Sequence, residues 1–183
     1  LTAPFHIALL RGVNVGGGKR VPMADLRELA TRLGFLEPRT LLNSGNLVYR
    51  SPHMKPAEAS KRLRAAIMDE MGVDTSVMVL THDDLARILA DNPMPTEALT
   101  NPSRFVVTVW SAGTTRAMLD PIANAPTTLE RFVVRDHAAY LWFPDGISAS
   151  TVYDKAARPL GDRITARNWN TMVKLHDMTA PAA

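Results

Sequence analysis

The order strand, helix, strand, strand, helix can be read twice along this 183-residue chain, and it sharply limits the folds open to it. A short continuous apolar run reads as a buried strand, whereas apolar positions three and four apart read as one face of a helix. Phe5–Leu10 is such a run. Met23, Leu26, Leu29, Ala30 and Leu33 then recur at helical spacing, with Gly34 placed to end the helix. Short strands follow at 39–42 and 47–50, joined by Asn43-Ser44-Gly45-Asn46, a turn by composition. Pro56 opens a second helix with Ala59, Leu63, Ala66, Ile67 and Met71 on its inward face, Gly72 closes it, and 76–80 forms a fourth strand.

The second half repeats this order. Thr81, with Asp84 three residues on, has the form of a capping box opening a helix that carries Leu85, Ile88 and Leu89. Residues 92–102, rich in Pro, Thr and Asn, read as a connector. A strand at 105–110, a short helix at 115–123 containing Pro121, and strands at 131–135 and 139–143 around the turn Asp136-His137 follow. Helical pieces at 152–160 and 168–178 complete the chain. The expectation is an α+β protein of two ferredoxin-like (βαββαβ-type) subdomains in tandem, 1–80 and 81–178, with 179–183 as a disordered tail.

Composition narrows the function classes. The chain has no cysteine, which removes disulfides, thiol catalysis and Cys-ligated zinc. No apolar run approaches the roughly 20 residues that span a bilayer, and residues 1–10 hold Pro4 and His6 without a basic leader region. A cytoplasmic location without membrane association is therefore expected. His6, His53, His82, His137 and His176 show no metal-type spacing, so no metal and no cofactor are expected. Residues 1–90 hold 12 Lys/Arg against 9 Asp/Glu, while 91–183 hold 9 of each, which assigns the net charge of +3 to the first half and would suit a phosphate-bearing partner.

Three polar segments could carry chemistry. The first is Arg11-Gly12-Val13-Asn14-Val15-Gly16-Gly17-Gly18-Lys19-Arg20, a long basic loop between a strand and a helix. Exposed N–H groups, the helix dipole and cationic side chains converge at such a junction. A phosphate loop of the Gly-x-x-x-x-Gly-Lys-Ser/Thr kind fails twice, since Val13 stands at the first Gly and Arg20 at the hydroxyl. The dinucleotide pattern fails at Asn14. Arg11 could pair an anion bidentately and Lys19 could supply a point charge, or the loop is a mobile connector with solvated charges. The second segment is the 43–46 turn, where Ser44 and Asn46 either donate to a ligand or only shape the turn. The third is Thr165-Ala166-Arg167-Asn168-Trp169-Asn170-Thr171, with Asn168 or Thr165 as a helix cap. Arg167 would then oppose the helix dipole, which an intervening anion or a neighbouring carboxylate would relieve.

The same element order occurs in RNA-binding modules that stack bases on strand aromatics. Here the third strand offers only Tyr49, and the basic-Gly-aromatic pattern is missing. Tyr140 and Trp142 share one strand face and read as core or a dimer surface rather than a stacking platform. Nucleic acid is the weaker expectation.

The chain resembles a bacterial family known only as domain of unknown function 1697. The resemblance rests on Ala8-Leu9-Leu10-Arg11-Gly12-Val13-Asn14-Val15-Gly16-Gly17, Met23-Ala24-Asp25-Leu26-Arg27, Ser44-Gly45-Asn46, Ala166-Arg167-Asn168-Trp169-Asn170-Thr171 and Lys174-Leu175. It implies two ferredoxin-like subdomains, often in dimers, and no established activity, substrate or catalytic residue. Gly18-Lys19-Arg20 departs from the family pattern, so the resemblance supports Lys19 and Arg20 less than Arg11 and Asn14. Together these readings predict a protein that binds a small anionic or phosphate-bearing ligand in a polar pocket between the subdomains. Its ligand-binding residues would be Arg11, Gly12, Asn14, Gly16, Gly17, Lys19, Ser44, Asn46, Arg167, Asn168 and Asn170. Two alternatives stay open. One is an enzyme on a phosphate- or carboxylate-containing substrate, for which no general base is evident. The other is a structural or weakly nucleic-acid-binding module, a homodimer in which Trp142 and Trp169 serve the interface.

Overall fold

A computed structural model describes residues 3–180. The chain divides into two compact units. The first comprises the residues up to Leu85 together with those from Leu175 on, and the second is Ala86–Lys174. The boundary thus lies a few residues after the expected 80/81 position. The C-terminal part of the last helix belongs to the first unit rather than the second.

In the first unit the order is β1 (Phe5–Leu10), α1 (Met23–Arg32), β2 (Leu36–Leu41), β3 (Asn46–Arg50), α2 (Pro56–Met71) and β4 (Val77–Thr81). The strands form one antiparallel sheet in the order β2-β3-β1-β4. The βαββαβ arrangement follows, because each helix carries the chain across one face and the central hairpin supplies the edge strand. Ala8 and Leu9 of β1 sit opposite Leu47 and Asn46 of β3, and Ala8, Leu10, Leu47 and Tyr49 pack with Leu26, Leu29 and Ala30 of α1 and Ala59, Leu63 and Ile67 of α2. These are the inward faces that the helical spacing predicts. The end of α1 is closed by Gly34 N–H to the Thr31 carbonyl and Phe35 N–H to the Ala30 carbonyl, a Schellman termination.

The chain continues through α3 (His82–Ala90), a short helix α4 (Pro95–Thr100), β5 (Phe105–Trp110), α5 (Arg116–Ala123), β6 (Arg131–Val134), β7 (Ala139–Trp142), α6 (Thr151–Ala157), β8 (Ile164–Asn168) and α7 (Trp169–Thr179). The second antiparallel sheet has the matching order β6-β7-β5-β8. Val106, Leu141 and Ile164 of this sheet pack with Leu119 and Ile122 of α5 and Ala156 of α6. The protein is an α+β fold of two four-stranded antiparallel sheets, each with its own helices, consistent with tandem ferredoxin-like units.

Four details differ from the sequence reading. Residues 95–100, expected as connector, form α4 after Pro95, which is suited to a first helical turn. The segment 164–168 is a strand, because it completes the second sheet along β5. β2 begins at Leu36 and carries an irregularity between Leu36 and Arg39. Thr179, assigned to the tail, is buried and donates from Oγ1 to the Leu175 and His176 carbonyls, whereas residues 181–183 of that tail lie outside the described residues.

The charge asymmetry between sequence halves does not survive this division. The first unit carries 11 Lys/Arg and 10 Asp/Glu, and the second 10 and 8. Any preference for anions must therefore come from local geometry, not from the field of one unit.

Candidate functional site

The loop between β1 and α1 is held at both ends. Arg11 N–H donates to the Ser76 carbonyl at 2.9 Å, and Thr75 Oγ1 donates to the Arg11 carbonyl at 2.8 Å, which fixes the start of the loop beside β4. Asn14 closes the loop on itself. Its N–H donates to the Lys19 carbonyl at 2.8 Å, and its Oδ1 accepts from Val21 N–H at 2.9 Å. The same side chain reaches the hairpin turn, with Nδ2 donating to the Val21 and Asn43 carbonyls at 2.7 Å each. One amide thus spends its donors and an acceptor on three backbone groups from two segments. Asn14 adopts a positive φ of 57°, which its short polar side chain tolerates better than most.

The turn meets the loop at Gly45. Leu10 N–H donates to the Gly45 carbonyl at 2.8 Å. A Cβ at Gly45 would lie 2.6 Å from Val13 Cγ2 and 2.7 Å from Leu10 Cβ, at a φ of +75°. Only glycine fits there. Asn46 is fully buried, and its Nδ2 donates to the Leu41 carbonyl at 2.9 Å and to Ser44 Oγ at 3.0 Å. Asn46 and Ser44 thus brace the turn.

A cavity of about 470 Å³ opens where these segments join. Asn14, Gly17, Gly18, Arg20, Val21, Pro22, Met23 and Asn43 line it. Pro22 and Met23 are the entry to α1, whose N-terminal turn receives no side-chain cap. First-turn N–H groups without a capping oxygen are donors for whatever occupies this end of the helix. Gly17, at a positive φ of 75°, and Gly18 are exposed, and their backbone leaves the cavity wall free of side chains on that side.

The expected residues divide into distinct groups. Asn14 and Gly17 line the cavity; Arg11, Gly12, Gly16 and Lys19 belong to the same loop without lining it, and Ser44 and Asn46 support the turn behind it. Sequence reasoning missed Arg20 and Asn43 as lining residues. Arg20 directly precedes Val21 and Pro22 at the helix entry, a position that could have singled it out over Lys19.

The third segment lies in the second unit, and its chemistry differs from the expectation. Arg167 is a residue of β8, opposite Val107, so it does not sit in the first turn of the last helix. Side chains two apart on a strand share a face, and Arg167 Nη1 accordingly donates to Thr165 Oγ1 at 3.0 Å and to the Ala166 carbonyl at 2.8 Å. Burial pushes its guanidinium down to about 10, which leaves it charged at neutral pH. Asn168 is the cap expected of it: Oδ1 accepts from Thr171 N–H at 2.9 Å and from Thr171 Oγ1 at 2.8 Å. Asn170 is exposed and donates from Nδ2 to Ser103 Oγ at 3.3 Å.

Tyr49 and Tyr140, the strand tyrosines weighed as base-stacking candidates, are core residues. Tyr49 is fully buried and stacks on Phe35 at 4.1 Å, and Tyr140 is fully buried with its hydroxyl donating to the Ile88 carbonyl at 2.6 Å. Trp169 packs edge-on against Phe105, centroids 5.5 Å apart. His82 and His176 stack at 4.7 Å. Among the described residues no group of three or more His, Asp or Glu is arranged to hold a metal ion, and no helix is long and apolar enough to cross a membrane.

The loop, turn and helix entry that build this site fall within residues 4–140, the span matched by the model of a protein family described as "Protein of unknown function (DUF1697)". The chain belongs to the DUF1697 family. A solved structure of the conserved bacterial protein SP0830 from Streptococcus pneumoniae is similar to this DUF1697 chain, with a TM-score of 0.77 at 22% identity, covering 97% of this chain and 99% of that one. At that identity the likeness speaks for the fold. A second structure, protein BT0572 from Bacteroides thetaiotaomicron, aligns with a TM-score of 0.22 at 8% identity over 90% of this chain and 93% of that one, and carries no structural argument. No curated protein matches this DUF1697 chain.

Proposed function

We propose that this protein binds a small anionic or phosphate-bearing molecule at the junction of the β1–α1 loop and the β2–β3 turn. The observation that carries the reading is the cavity at the uncapped entry of α1, with Arg20 and the Gly17–Gly18 backbone in its wall. An anion there would meet a guanidinium, backbone N–H groups and the positive end of a ten-residue helix. Asn43 offers the cavity an amide, and Asn14, whose own amide is committed to the backbone, holds the loop in shape before a ligand arrives, which lowers the ordering cost of binding. Binding is preferred to catalysis because Arg20 is the ionisable group among the described residues that line the cavity. A guanidinium stays protonated and cannot serve as a general base.

The test is calorimetric titration and thermal unfolding with inorganic phosphate, a nucleoside monophosphate and citrate. A ligand at 100 times its dissociation constant should stabilise the protein by about 2.7 kcal/mol. Arg20→Gln should weaken binding about tenfold, the value of one charge-assisted hydrogen bond. An Arg167→Gln variant reads the contribution expected of that residue from sequence. No binding of any anion, with identical unfolding of the wild type and Arg20→Gln in their presence, would overturn the reading.

A further inference from the structure

The second unit carries its own cavity, of about 500 Å³, at the position topologically equivalent to the first. In the first unit the wall comes from the loop leaving β1 and the turn between β2 and β3. In the second it comes from the end of β5, the loop and helix that follow, and the turn between β6 and β7. The chemistry of the wall is different. Trp110 ends β5 and is half-buried, Arg116 opens α5, Arg135 and Asp136 occupy the turn, and Asp91 follows α3.

Two cations and two anions at one cavity could simply neutralise one another. They do not: among the described residues none of the four is in an ion pair. Arg116 commits one N–H, from Nη1, to the Val134 carbonyl at 3.1 Å. The wall also contains Thr114, whose buried Oγ1 has no hydrogen-bond partner among the described residues. A buried hydroxyl without a partner is uncommon and calls for an explanation.

Charge decides the class of ligand. A polyanion would gain from Arg116 and Arg135 but meet Asp91 and Asp136. A simple cation would meet the reverse. A molecule carrying one carboxylate and one ammonium satisfies both signs, since guanidinium groups take carboxylates in a planar fork and a carboxylate takes an ammonium. The indole of Trp110 adds an apolar face for the rest of the molecule. The volume is of the size that small-molecule sites have. We propose that the cavity at the β5–α5 junction is a binding site for a small zwitterion of the free amino acid class. This site is independent of the anion site proposed for the first unit.

The experiment uses the full chain and a panel of free L-amino acids with apolar, aromatic and polar side chains. Binding is followed by calorimetry and by the shift of the Trp110 indole N–H signal. For the best binder, the analogue lacking the ammonium and the amide lacking the carboxylate are titrated in parallel. The expected result is saturable binding that moves the Trp110 signal, with each analogue at least about tenfold weaker. Arg135→Gln and Asp136→Asn, both at exposed turn positions, should each weaken binding to a similar degree, while Arg20→Gln leaves it unchanged. The proposal is overturned if no amino acid in the panel binds. It is equally overturned if the deaminated analogue or inorganic phosphate binds as tightly as the zwitterion, or if Arg135→Gln and Asp136→Asn bind as the wild type does. Loss of binding in Arg20→Gln alone would assign the zwitterion to the other cavity and overturn the proposal as well.

Discussion

At Gly45 the hairpin turn and the β1–α1 loop approach so closely that a single added methyl group decides whether they fit. Gly45→Ala would place its Cβ 2.6 Å from Val13 Cγ2 and 2.7 Å from Leu10 Cβ while holding φ at +75°. We expect a loss of roughly 2–4 kcal/mol, combining the conformational penalty and the overpacking, measured by urea unfolding. Asn14 presents the opposite case, where removal opens the contact. Asn14→Ala leaves Val21 N–H and the Asn43 carbonyl without their partner, and should cost about 1–3 kcal/mol and speed hydrogen exchange at Val21. His6 makes stability depend on pH. It is buried opposite Tyr49, and burial holds its pKa below the ordinary 6.5 against the opposing pull of the Asp84 carboxylate. The unfolded chain takes up this proton near 6.5 and the folded chain resists it, so the contribution is complete above pH 6.5 and is lost as pH falls below it. His6→Phe should flatten the fall in urea midpoint between about pH 7.5 and about pH 5. The sequence made Asn14 and Gly45 visible as turn formers, but not their meeting, because contact between two turns is a property of strand register.

Among the elements, regular periodicity was legible and short mixed segments were not. The inward faces of α1 and α2 follow from apolar spacing, because each helix covers one sheet face and nothing competes with that period. β8 was hidden for a physical reason. Ile164-Thr165-Ala166-Arg167-Asn168 places polar Thr165 and Arg167 on one face and buries both, so neither apolar continuity nor a simple alternation marks it. Its identity as a strand comes from pairing with β5, a tertiary fact. The error carried into chemistry: an Arg167 imagined at a helix terminus invites an anion, whereas the strand residue satisfies part of its donors on Thr165 and Ala166. The cap beside it was readable, because Asn168 needs only the local geometry of three residues. Asn168→Ala should therefore cost about 1 kcal/mol through α7 alone, and Asn168→Asp, which keeps the acceptor, should restore most of it. Thermal unfolding of the pair of variants separates capping from a role in binding, since a ligand contact would be lost in both when titrated with phosphate.

For the molecule as a whole, the repeated βαββαβ order builds two sheets of the same strand sequence and places a cavity at the same corner of each. What distinguishes the corners is side chain, not topology. The first has Arg20 and open glycine backbone; the second has two arginines, two aspartates and an indole. The overall charge of the chain cannot explain selectivity, because 11 cationic and 10 acidic residues in the first unit leave it almost neutral. Long-range steering should be weak, and any salt dependence of anion binding should arise within reach of Arg20. Between ionic strengths of about 0.01 M and about 0.15 M the Debye length falls from about 30 Å to about 8 Å. Phosphate affinity should decline only modestly over that range in the wild type, and the residual slope should vanish in Arg20→Gln if that guanidinium is the charge the ligand meets. A steep slope that persists in Arg20→Gln would instead point to a broad electrostatic surface, which the charge count of the unit argues against. Calorimetric titration of both proteins across the salt series decides between a local contact and a field, and so tests whether the long glycine loop acts through the residue that the cavity brings to its wall.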